Sequence, residues 1–235
     1  MVPWIEELEN RDWLIEHSEE LLAFYGDEPF WADEPVPLKG DWVSLQKTDA
    51  EAAAHAVMES WIQELGLPFE GMTVAAMDQP GIFFEVQNNE VHFDVNEWDL
   101  GHPVNMPAVL ALALAGLFIS LKRPDEGQGW HEDEEMPITT LVAILLGFGP
   151  FICAAQQGAE NLPESESSTA SESEESGPLP FDSGLSLKEC CFAQAYVSFI
   201  FEQDFTAFQS LFPECRDIVA DALGYMMQLE EQSRD

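Results

Sequence analysis

The most constraining feature of the sequence is an uncharged helical run at residues 105–120, in a chain that otherwise carries many carboxylates. Leucines recur along one flank of the run, and its alanines allow neighbouring segments to approach closely. Asn105 predicts the N-cap of this helix, and Pro107 falls in the first turn, where proline is tolerated. Because the run is apolar on every side, it belongs in the middle of a domain or in a bilayer.

A second uncharged run, residues 136–159, follows through an acidic bridge. It is dense in leucine, isoleucine and phenylalanine, but Gly147, Gly149 and Pro150 interrupt it. Proline removes a backbone donor and bends a helix, so we expect two helical pieces or a kink near Phe148. We interpret the two runs together as the hydrophobic core.

The composition narrows the possible partners. With 46% hydrophobic residues among 235, the chain is long enough to bury a substantial core. Its 45 acidic and 8 basic residues give a formal net charge of -37. Phosphate binding relies on clustered lysine and arginine, so the charge excludes nucleic acid as a ligand class. Such acidity favours a basic protein partner or a high-salt habitat, and mimicry of nucleic acid is a further alternative.

The four cysteines, Cys153, Cys190, Cys191 and Cys215, have no CxxC spacing and fall in predicted helices. We expect them to be reduced and buried as small apolar side chains, which predicts a cytoplasmic protein. The first residues contain neither the basic nor the apolar region of a cleaved signal peptide, in agreement with that location.

Residues 1–40 form an acidic arm rich in tryptophan and proline, with apolar residues at roughly helical spacing. We interpret this arm as a docking helix that covers the body, and a partner-binding segment is the alternative. Residues 48–65 predict a helix that Thr48 or Asp49 caps and Gly66 ends.

Three short runs rich in β-forming residues follow, at 74–77, 81–86 and 91–95. The pair Asn88-Asn89 predicts a hairpin turn between the last two. The predicted fold class is therefore α+β and mainly helical, with a small antiparallel sheet packed on a central buried helix. Residues 41–159 form this core in the predicted domain organisation.

Two further segments complete the chain. Residues 160–184 are a low-complexity stretch of serine and glutamate, which buries too little apolar surface to offset chain entropy and predicts a disordered linker. Residues 185–235 predict two amphipathic helices that pack on the central pair and complete the core.

The order of these elements resembles that of a group of small bacterial zincin-like proteins. Short strands precede a helix entered through Asn-Met-Pro-Ala, an acidic turn and Thr139-Thr140-Leu141 follow, and Gly-Phe-Gly stands at 147–149. In that group the helix has the form A-x-L-A-H-E-L-A-H, and the next helix opens with an acid followed by T-D-L and a GFG element. The likeness spans roughly residues 40–155 and the C-terminal helices, and it implies a zincin-like fold.

The resemblance also implies that the metal site is degenerate. The zinc-binding histidines of the group fall at Leu112 and Gly116, the catalytic glutamate falls at Ala113, and Thr140 replaces the aspartate of T-D-L. Zincin chemistry needs two imidazoles at i and i+4 and a glutamate that deprotonates the bound water. The segment Leu112-Ala113-Leu114-Ala115-Gly116 therefore predicts a protein without zinc, without another cofactor and without catalysis.

A metal site elsewhere is the alternative. His131, Glu134 and Glu135 belong to an acidic turn whose carboxylates suit weak binding of Ca²⁺, Mg²⁺ or Zn²⁺. A solvated turn, with acids favoured near a helix N-terminus, explains the same residues. The sequence contains no G-x-S-x-G elbow and no glycine-rich phosphate loop.

Three functional hypotheses follow from the sequence. The first is a non-catalytic zincin-like protein that acts by association with an unidentified protein partner, for which the charge favours a basic one. The second is a two-span membrane protein with helices near 100–121 and 136–159, since each approaches the roughly 20 residues that cross a bilayer. The third is a metal-dependent hydrolase that uses the acidic His131 site.

Overall fold

The uncharged run forms helix α6 (Asn105–Lys122), which lies at the centre of the fold. The structure is a computed structural model that describes residues 3–25, 42–122, 132–160, 181–203 and 213–233. Every residue of α6 from Asn105 to Ala115 is buried. Full burial of a leucine side chain contributes about 1.5–3 kcal/mol. The prediction of a central buried helix in a mainly helical α+β fold is confirmed.

The other described elements surround α6. In chain order they are α1 (Pro3–Glu6), α2 (Arg11–Tyr25), α3 (Trp42–Gln46), α4 (Ala50–Glu64), β1 (Gly71–Met77), β2 (Ile82–Gln87), β3 (Glu90–Asn96), α5 (Glu97–Gly101), α6, a 3₁₀ turn (Glu132–Glu134), α7 (Glu135–Ala143), a π-helical turn (Ile144–Phe148), α8 (Gly149–Glu160), α9 (Leu187–Ile200) and α10 (Pro213–Ser233).

The start of α6 differs from the prediction that Asn105 is its N-cap. Asn105 is the first helical residue, and its backbone N–H donates to Nδ1 of His102 at 3.4 Å. Its side chain donates from Nδ2 to Oδ1 of Asp99 at 3.1 Å. A hydrogen bond to a carboxylate is stronger than one between neutral groups, so the amide turns toward α5 instead of capping its own helix.

The second uncharged run bends where the sequence predicts. Helices α7 and α8 are joined by the π-helical turn Ile144–Phe148. Within this turn Gly147 has a φ of 91°, in the left-handed region that glycine tolerates without steric cost. The ring of Phe148 packs against Trp61, with ring centroids 4.5 Å apart. The predicted kink near Phe148 is confirmed.

Both uncharged helical segments are long and apolar enough to cross a membrane. The most apolar window of Asn105–Lys122 is 78% buried inside the fold, and that of Glu135–Glu160 is 94% buried. A helix that is apolar on all sides suits the middle of a large core as well as a bilayer. In this fold most of the surface of both segments is covered by other parts of the same chain.

The sheet has the strand order β1-β3-β2 and is mixed, so the prediction of an antiparallel sheet is wrong for one of its two pairings. Strand β3 pairs antiparallel with β2 and parallel with β1. Residues 78–81 connect β1 to β2, which are not neighbours in the sheet. Strand β3 then lies between them and pairs with both. Nδ2 of Asn96 donates to the carbonyl oxygen of Gln79 at 3.0 Å and fastens this connection. A regular strand pattern does not encode such an insertion.

The short local motifs agree with the sequence. Asn88 and Asn89 have φ values of 53° and 67°, as a two-residue type I′ hairpin turn requires. Asp49 caps α4, since its side chain accepts a hydrogen bond from the backbone N–H of Ala52 at 2.9 Å. Gly66 follows that helix with a φ of 61°. The predicted hairpin turn and helix caps are confirmed, with Asp49 as the cap.

The described part of the N-terminal arm packs on the body. Helices α1 and α2 bury Ile5, Leu14 and Leu21 in the common core, and α2 contacts α7 and α9. The docking interpretation is therefore confirmed for residues 3–25. Residues 26–41 of the arm lie outside the described residues.

Only the end of the predicted linker, residues 181–184, and its first residue lie within the described part of the chain. Residues 161–180 lie outside the described residues, but Phe181 and Ser183 are buried against the core. The hydroxyl of Thr140 donates to the carbonyl oxygen of Ser183 at 2.7 Å. The prediction placed residues 181–184 in a disordered stretch, and it is wrong there because one phenylalanine provides enough apolar surface to dock the segment.

The C-terminal helices complete the core as predicted. Ser186 and Glu189 form a capping box at the start of α9, which satisfies two backbone donors. Helix α10 packs on α9 and α8. The four cysteines lie at these contacts, and all are reduced and buried, as expected: Cys153 on α8, Cys190 and Cys191 on α9, and Cys215 on α10.

Candidate functional site

The three positions of α6 that the sequence analysis singled out, Leu112, Ala113 and Gly116, line one cleft. Leu112, Ala113 and Gly116 occupy successive turns of α6, and the spacing i, i+1 and i+4 places them on one side of the helix. The cleft has a volume of about 1090 Å³. Its walls come from β2, from α5 and from the beginning of α7.

The floor of the cleft is hydrocarbon. Leu112 and Ala113 are nearly buried beneath it, and Ile82 and Phe84 of β2 line its side. A Cβ atom at Gly116 would lie 3.4 Å from Cε1 of Phe84, so helix and strand approach closely here. None of the three helix positions offers a nitrogen, an oxygen or a sulfur in its side chain, so they provide neither a metal ligand nor a general base.

Strand β2 is an edge strand that borders the cleft. In a two-residue hairpin the closing pair, here Gln87 and Glu90, exchanges both backbone hydrogen bonds, and such pairs alternate along the ladder. The backbone groups of Phe83 therefore point to β3, whereas those of Ile82 and Phe84 point away from it. Among the described residues, no hydrogen bond to these outward-pointing backbone groups is found.

Helix α5 brings an aromatic and polar wall to one end of the cleft. The indole of Trp98 stacks on the imidazole of His102, with ring centroids 5.1 Å apart and planes 19° apart. Asp99 lies partly buried beside them and accepts the hydrogen bond from Asn105. Burial raises the pKa of the Asp99 carboxyl, and the hydrogen bond from Asn105 and the charge of His102 partly oppose this rise.

The rim of the cleft is acidic. Five carboxylates line it, and among the described residues no lysine or arginine does. We define these five residues, which come from four separate parts of the chain, as the acidic rim: Asp78, Glu97, Asp99, Glu135 and Asp182. A cleft lined by charges of one sign concentrates ligands of the opposite sign.

Helix α7 contributes only part of what the sequence predicted. Glu135 and Thr139 line the cleft, but Thr140 does not. The hydroxyl of Thr140 is buried and bound to Ser183, so this position holds the segment before α9 instead of facing a metal. Glu134 lies outside the cleft lining.

The alternative metal site is only partly within the described residues. His131, its one imidazole, lies outside them. In the part of the chain that the structure describes, no group of three or more His, Cys, Asp or Glu side chains is placed to hold a metal ion.

Sequence reasoning missed the opposite wall of the cleft. Trp98, Asp99, Phe181 and Asp182 were not among the predicted site residues, yet all four line the cleft. Phe181 and Asp182 directly follow a low-complexity stretch, and the sequence analysis assigned them to the same predicted linker. An available signal was the Glu97-Trp98-Asp99 triplet directly before the central helix, where an acidic and aromatic segment meets the helix entrance.

A hydrogen-bonded trio lies on the other face of the sheet. Oγ1 of Thr73 is 2.6 Å from Nδ1 of His92, and Nε2 of His92 is 3.1 Å from Oδ1 of Asp94. The order of hydroxyl, imidazole and carboxylate is that of a nucleophile with its base. However, His92 and Asp94 are each more than 40% exposed on an open sheet face that does not exclude water. We interpret the Thr73–His92 contact as a side-chain pair between β1 and β3, and the His92–Asp94 contact as a pair along β3 itself.

Comparisons of the chain with models of protein families, with curated proteins and with solved structures found no match.

Proposed function

We propose that this chain is a non-catalytic protein on a zincin-like scaffold, and that it acts by association with a protein partner through the cleft. The partner binds where a zincin would hold its metal and substrate. No reaction is assigned to the cleft, because its floor carries hydrocarbon at all three motif positions. The reduced, buried cysteines support the cytoplasm as the place of this function.

One observation carries the proposal. Leu112, Ala113 and Gly116 share a cleft with an edge strand and with Glu135 at the start of the next helix. The cleft is thus present around positions that lack every chemical group needed to bind zinc or activate water. A scaffold of this kind supports binding without turnover.

The first test measures metal and activity in the purified protein. We expect less than one tenth of an equivalent of zinc per chain by elemental analysis after exposure to excess Zn²⁺ and gel filtration. We also expect no cleavage of an unstructured protein substrate such as casein. Stoichiometric zinc whose removal abolishes proteolysis would contradict the proposal, and loss of that zinc in His131→Ala would favour the hydrolase hypothesis instead.

The second test restores the missing ligands. The triple variant Leu112→His, Ala113→Glu and Gly116→His places two imidazoles at i and i+4 on the cleft side of α6. We expect it to bind one Zn²⁺ per chain, and we expect Glu135→Gln in the triple background to weaken binding by about 10- to 100-fold, as loss of a carboxylate close to the metal does.

A matched control distinguishes specific zinc binding from nonspecific binding of metal to the acidic surface. The variant Leu112→His, Ala113→Glu and Gly116→Ala has one imidazole fewer and should not bind zinc stoichiometrically. Circular dichroism shows whether each variant is folded. A folded triple variant that binds no more zinc than this control would show that the helix does not have zincin geometry.

The membrane hypothesis is tested by fractionation. The burial of both apolar helical segments favours a core role, because a bilayer span would leave their outer surfaces facing lipid. We expect the protein in the supernatant after cell breakage and high-speed centrifugation. Recovery only from the pellet after alkaline carbonate washing would favour the two-span model.

A further inference from the structure

The chemistry of the cleft indicates which kind of partner segment it accepts. The inference rests on the proposed function, since it identifies the occupant of the same cleft. Three independent features of the cleft are relevant: a free strand edge, an apolar floor and an acidic rim. Together these three features restrict the backbone conformation, the side chains and the charge of a ligand that fits the cleft.

The strand edge selects an extended backbone. The N–H and C=O groups of Ile82 and Phe84 point away from β3, and β2 has no second neighbour among the described strands. An extended segment laid beside β2 would receive and donate backbone hydrogen bonds, as in other cases of strand addition. Exposed strand edges favour such pairing unless the chain covers or charges them.

The floor selects apolar side chains at alternate positions. Successive side chains of an extended segment point to opposite sides. A segment paired with β2 therefore directs every second side chain toward Leu112, Ala113 and Met136, and Met136 is 43% exposed. The remaining side chains are directed away from this floor.

The rim selects positive charge. Glu97 and Glu135 are exposed, and Asp78 and Asp182 are exposed as well, so each presents a carboxylate to solvent at the edge of the cleft. Trp98 adds an aromatic surface, on which a guanidinium group stacks favourably. Arginine satisfies both features, because its guanidinium binds carboxylates in a bidentate manner.

We propose that the cleft binds an extended, basic segment of a partner protein, paired along the edge of β2, with apolar side chains on the α6 floor and arginine side chains at the acidic rim. An acidic segment is repelled by the rim. A helical segment leaves the backbone groups of Ile82 and Phe84 without partners.

The test uses two fluorescent hexapeptides and the full-length protein. One peptide alternates arginine with valine, and the other alternates glutamate with valine. We expect the arginine peptide to bind, with an affinity that falls as salt rises because the charges are solvent-exposed. We expect no binding of the glutamate peptide. Absence of binding by the arginine peptide, or equal binding of both peptides, overturns the inference.

A pair of matched variants separates the cleft from the general acidity of the chain. Glu97→Gln with Glu135→Gln removes two carboxylates from the rim, and Glu59→Gln with Glu70→Gln removes two exposed carboxylates elsewhere. Both variants have the same net charge. We expect the rim variant to lower the affinity by about 3- to 30-fold and the control to change it by less than about twofold. Equal losses in the two variants overturn the inference.

Strand pairing is tested on the peptide, so that protein folding is not disturbed. Two further arginine–valine peptides carry N-methyl groups, one at every arginine amide and the other at every valine amide. Only one set of amides faces β2, so we expect one peptide to lose about tenfold or more in affinity and the other to bind nearly unchanged. Equal affinities of the two peptides overturn the strand geometry.

Failure of this inference and failure of the proposed function give different results. Mass spectrometry of the peptides after incubation shows whether they are cleaved. Cleavage together with bound zinc contradicts the proposed function, even if the arginine peptide binds. Absence of binding without cleavage or zinc contradicts only the basic, extended partner.

Discussion

Two regions of the molecule carry side chains that are capable of chemistry, and they differ in access to water. In the cleft, carboxylates, Trp98 and His102 border an open volume beside a free strand edge. At the interface of α8, α9 and α10, four thiols and the amide of Gln194 are sealed inside the core. The comparison shows that a reactive type of side chain forms a functional site only where a ligand or water can reach it.

The thiol interface illustrates how burial removes reactivity. The pKa of Cys190 is raised from 9.0 to about 12, mainly because the anion would be desolvated, and a hydrogen bond with Ser183 only partly opposes this. The thiolate is the reactive form of cysteine, so a raised pKa makes the side chain inert at neutral pH. Four of the five carboxylates of the acidic rim, those of Asp78, Glu97, Glu135 and Asp182, are exposed and available to a ligand.

The largest expected effect is protection of the thiols from alkylation. Because all four are buried, reaction with iodoacetamide at pH 8 requires opening of the core. Core opening costs a large share of the free energy of unfolding, which is about 5–15 kcal/mol for a typical domain. We expect the rate of alkylation to be at least about a thousandfold lower in the folded protein than in urea. Mass spectrometry of the alkylated protein over time measures both rates. If any cysteine reacted as fast in buffer as in urea, the thiol interface would be accessible to solvent, as the cleft is, and the two regions would not differ in access.

The same thiols predict the alkaline limit of stability. Cys190 binds its proton more tightly in the folded than in the unfolded state, so the stabilisation is present in full below about pH 9 and is lost as pH rises from 9.0 to about 12. We expect urea unfolding midpoints to fall over this range. The variant Cys190→Ala should show a shallower fall, since it lacks the group that titrates.

Substitution of one glycine in each region compares how tightly the two regions are packed. Gly149 lies at the thiol interface, and Gly116 lies in the cleft. A Cβ atom at Gly149 would overlap Oε1 of Gln194, whose amide nitrogen is held at 3.0 Å from Oγ of Ser198. We expect Gly149→Ala to lower the free energy of unfolding by about 1–3 kcal/mol, because Gln194 is buried and would lose its bond to Ser198 if its amide moved aside. Urea denaturation monitored by tryptophan fluorescence measures the change.

The matched substitution is Gly116→Ala in the cleft. Its added Cβ meets only Cε1 of Phe84 at an ordinary contact distance of 3.4 Å, and alanine favours the helix over glycine by about 0.8–1.0 kcal/mol. We expect this variant to be as stable as the wild type or more stable. Equal destabilisation by the two substitutions would show that the cleft is as tightly packed as the interface.

Local sequence signals identified much of the fold. The buried α6, the kink at Gly147, the Asn88-Asn89 turn and the cap of α4 each depend on residues close in sequence, and all were predictable. In contrast, the parallel pairing of β1 with β3 depends on the order in which strands meet, and no local pattern records it.

The candidate site was predictable on one side only. Leu112, Ala113 and Gly116 were singled out through the resemblance of their helix to a zincin motif, and the structure places them together in the cleft. The opposite wall was not identified, because Trp98 belongs to no recognised motif and Phe181 reaches the cleft across a large separation in sequence. The buried bond of Thr140 to Ser183 has the same cause, since one partner follows a stretch that resembles a linker.

The smallest expected effect concerns Asp99, which lines the open cleft but is partly buried, whereas the thiols are fully buried. Its pKa is raised chiefly by burial, so the charged form present at pH 7 is disfavoured by folding. We expect Asp99→Asn to raise the free energy of unfolding at pH 7 by up to about 0.5 kcal/mol, after allowance for solvent screening. The asparagine oxygen still accepts the hydrogen bond from Asn105, so the junction of α5 and α6 is kept.

The pH dependence decides whether charge burial is the cause. A group with a raised folded pKa stabilises most below its ordinary pKa of 3.8, and the stabilisation is lost as pH rises through the folded value. The difference between Asp99→Asn and the wild type should therefore disappear near pH 3, where both side chains are neutral. A difference that is equal at pH 3 and pH 7 would assign the effect to packing. A gain confined to neutral pH, together with weaker binding of the arginine peptide, would show that the cleft keeps a carboxylate at some cost in stability because its ligand is positively charged.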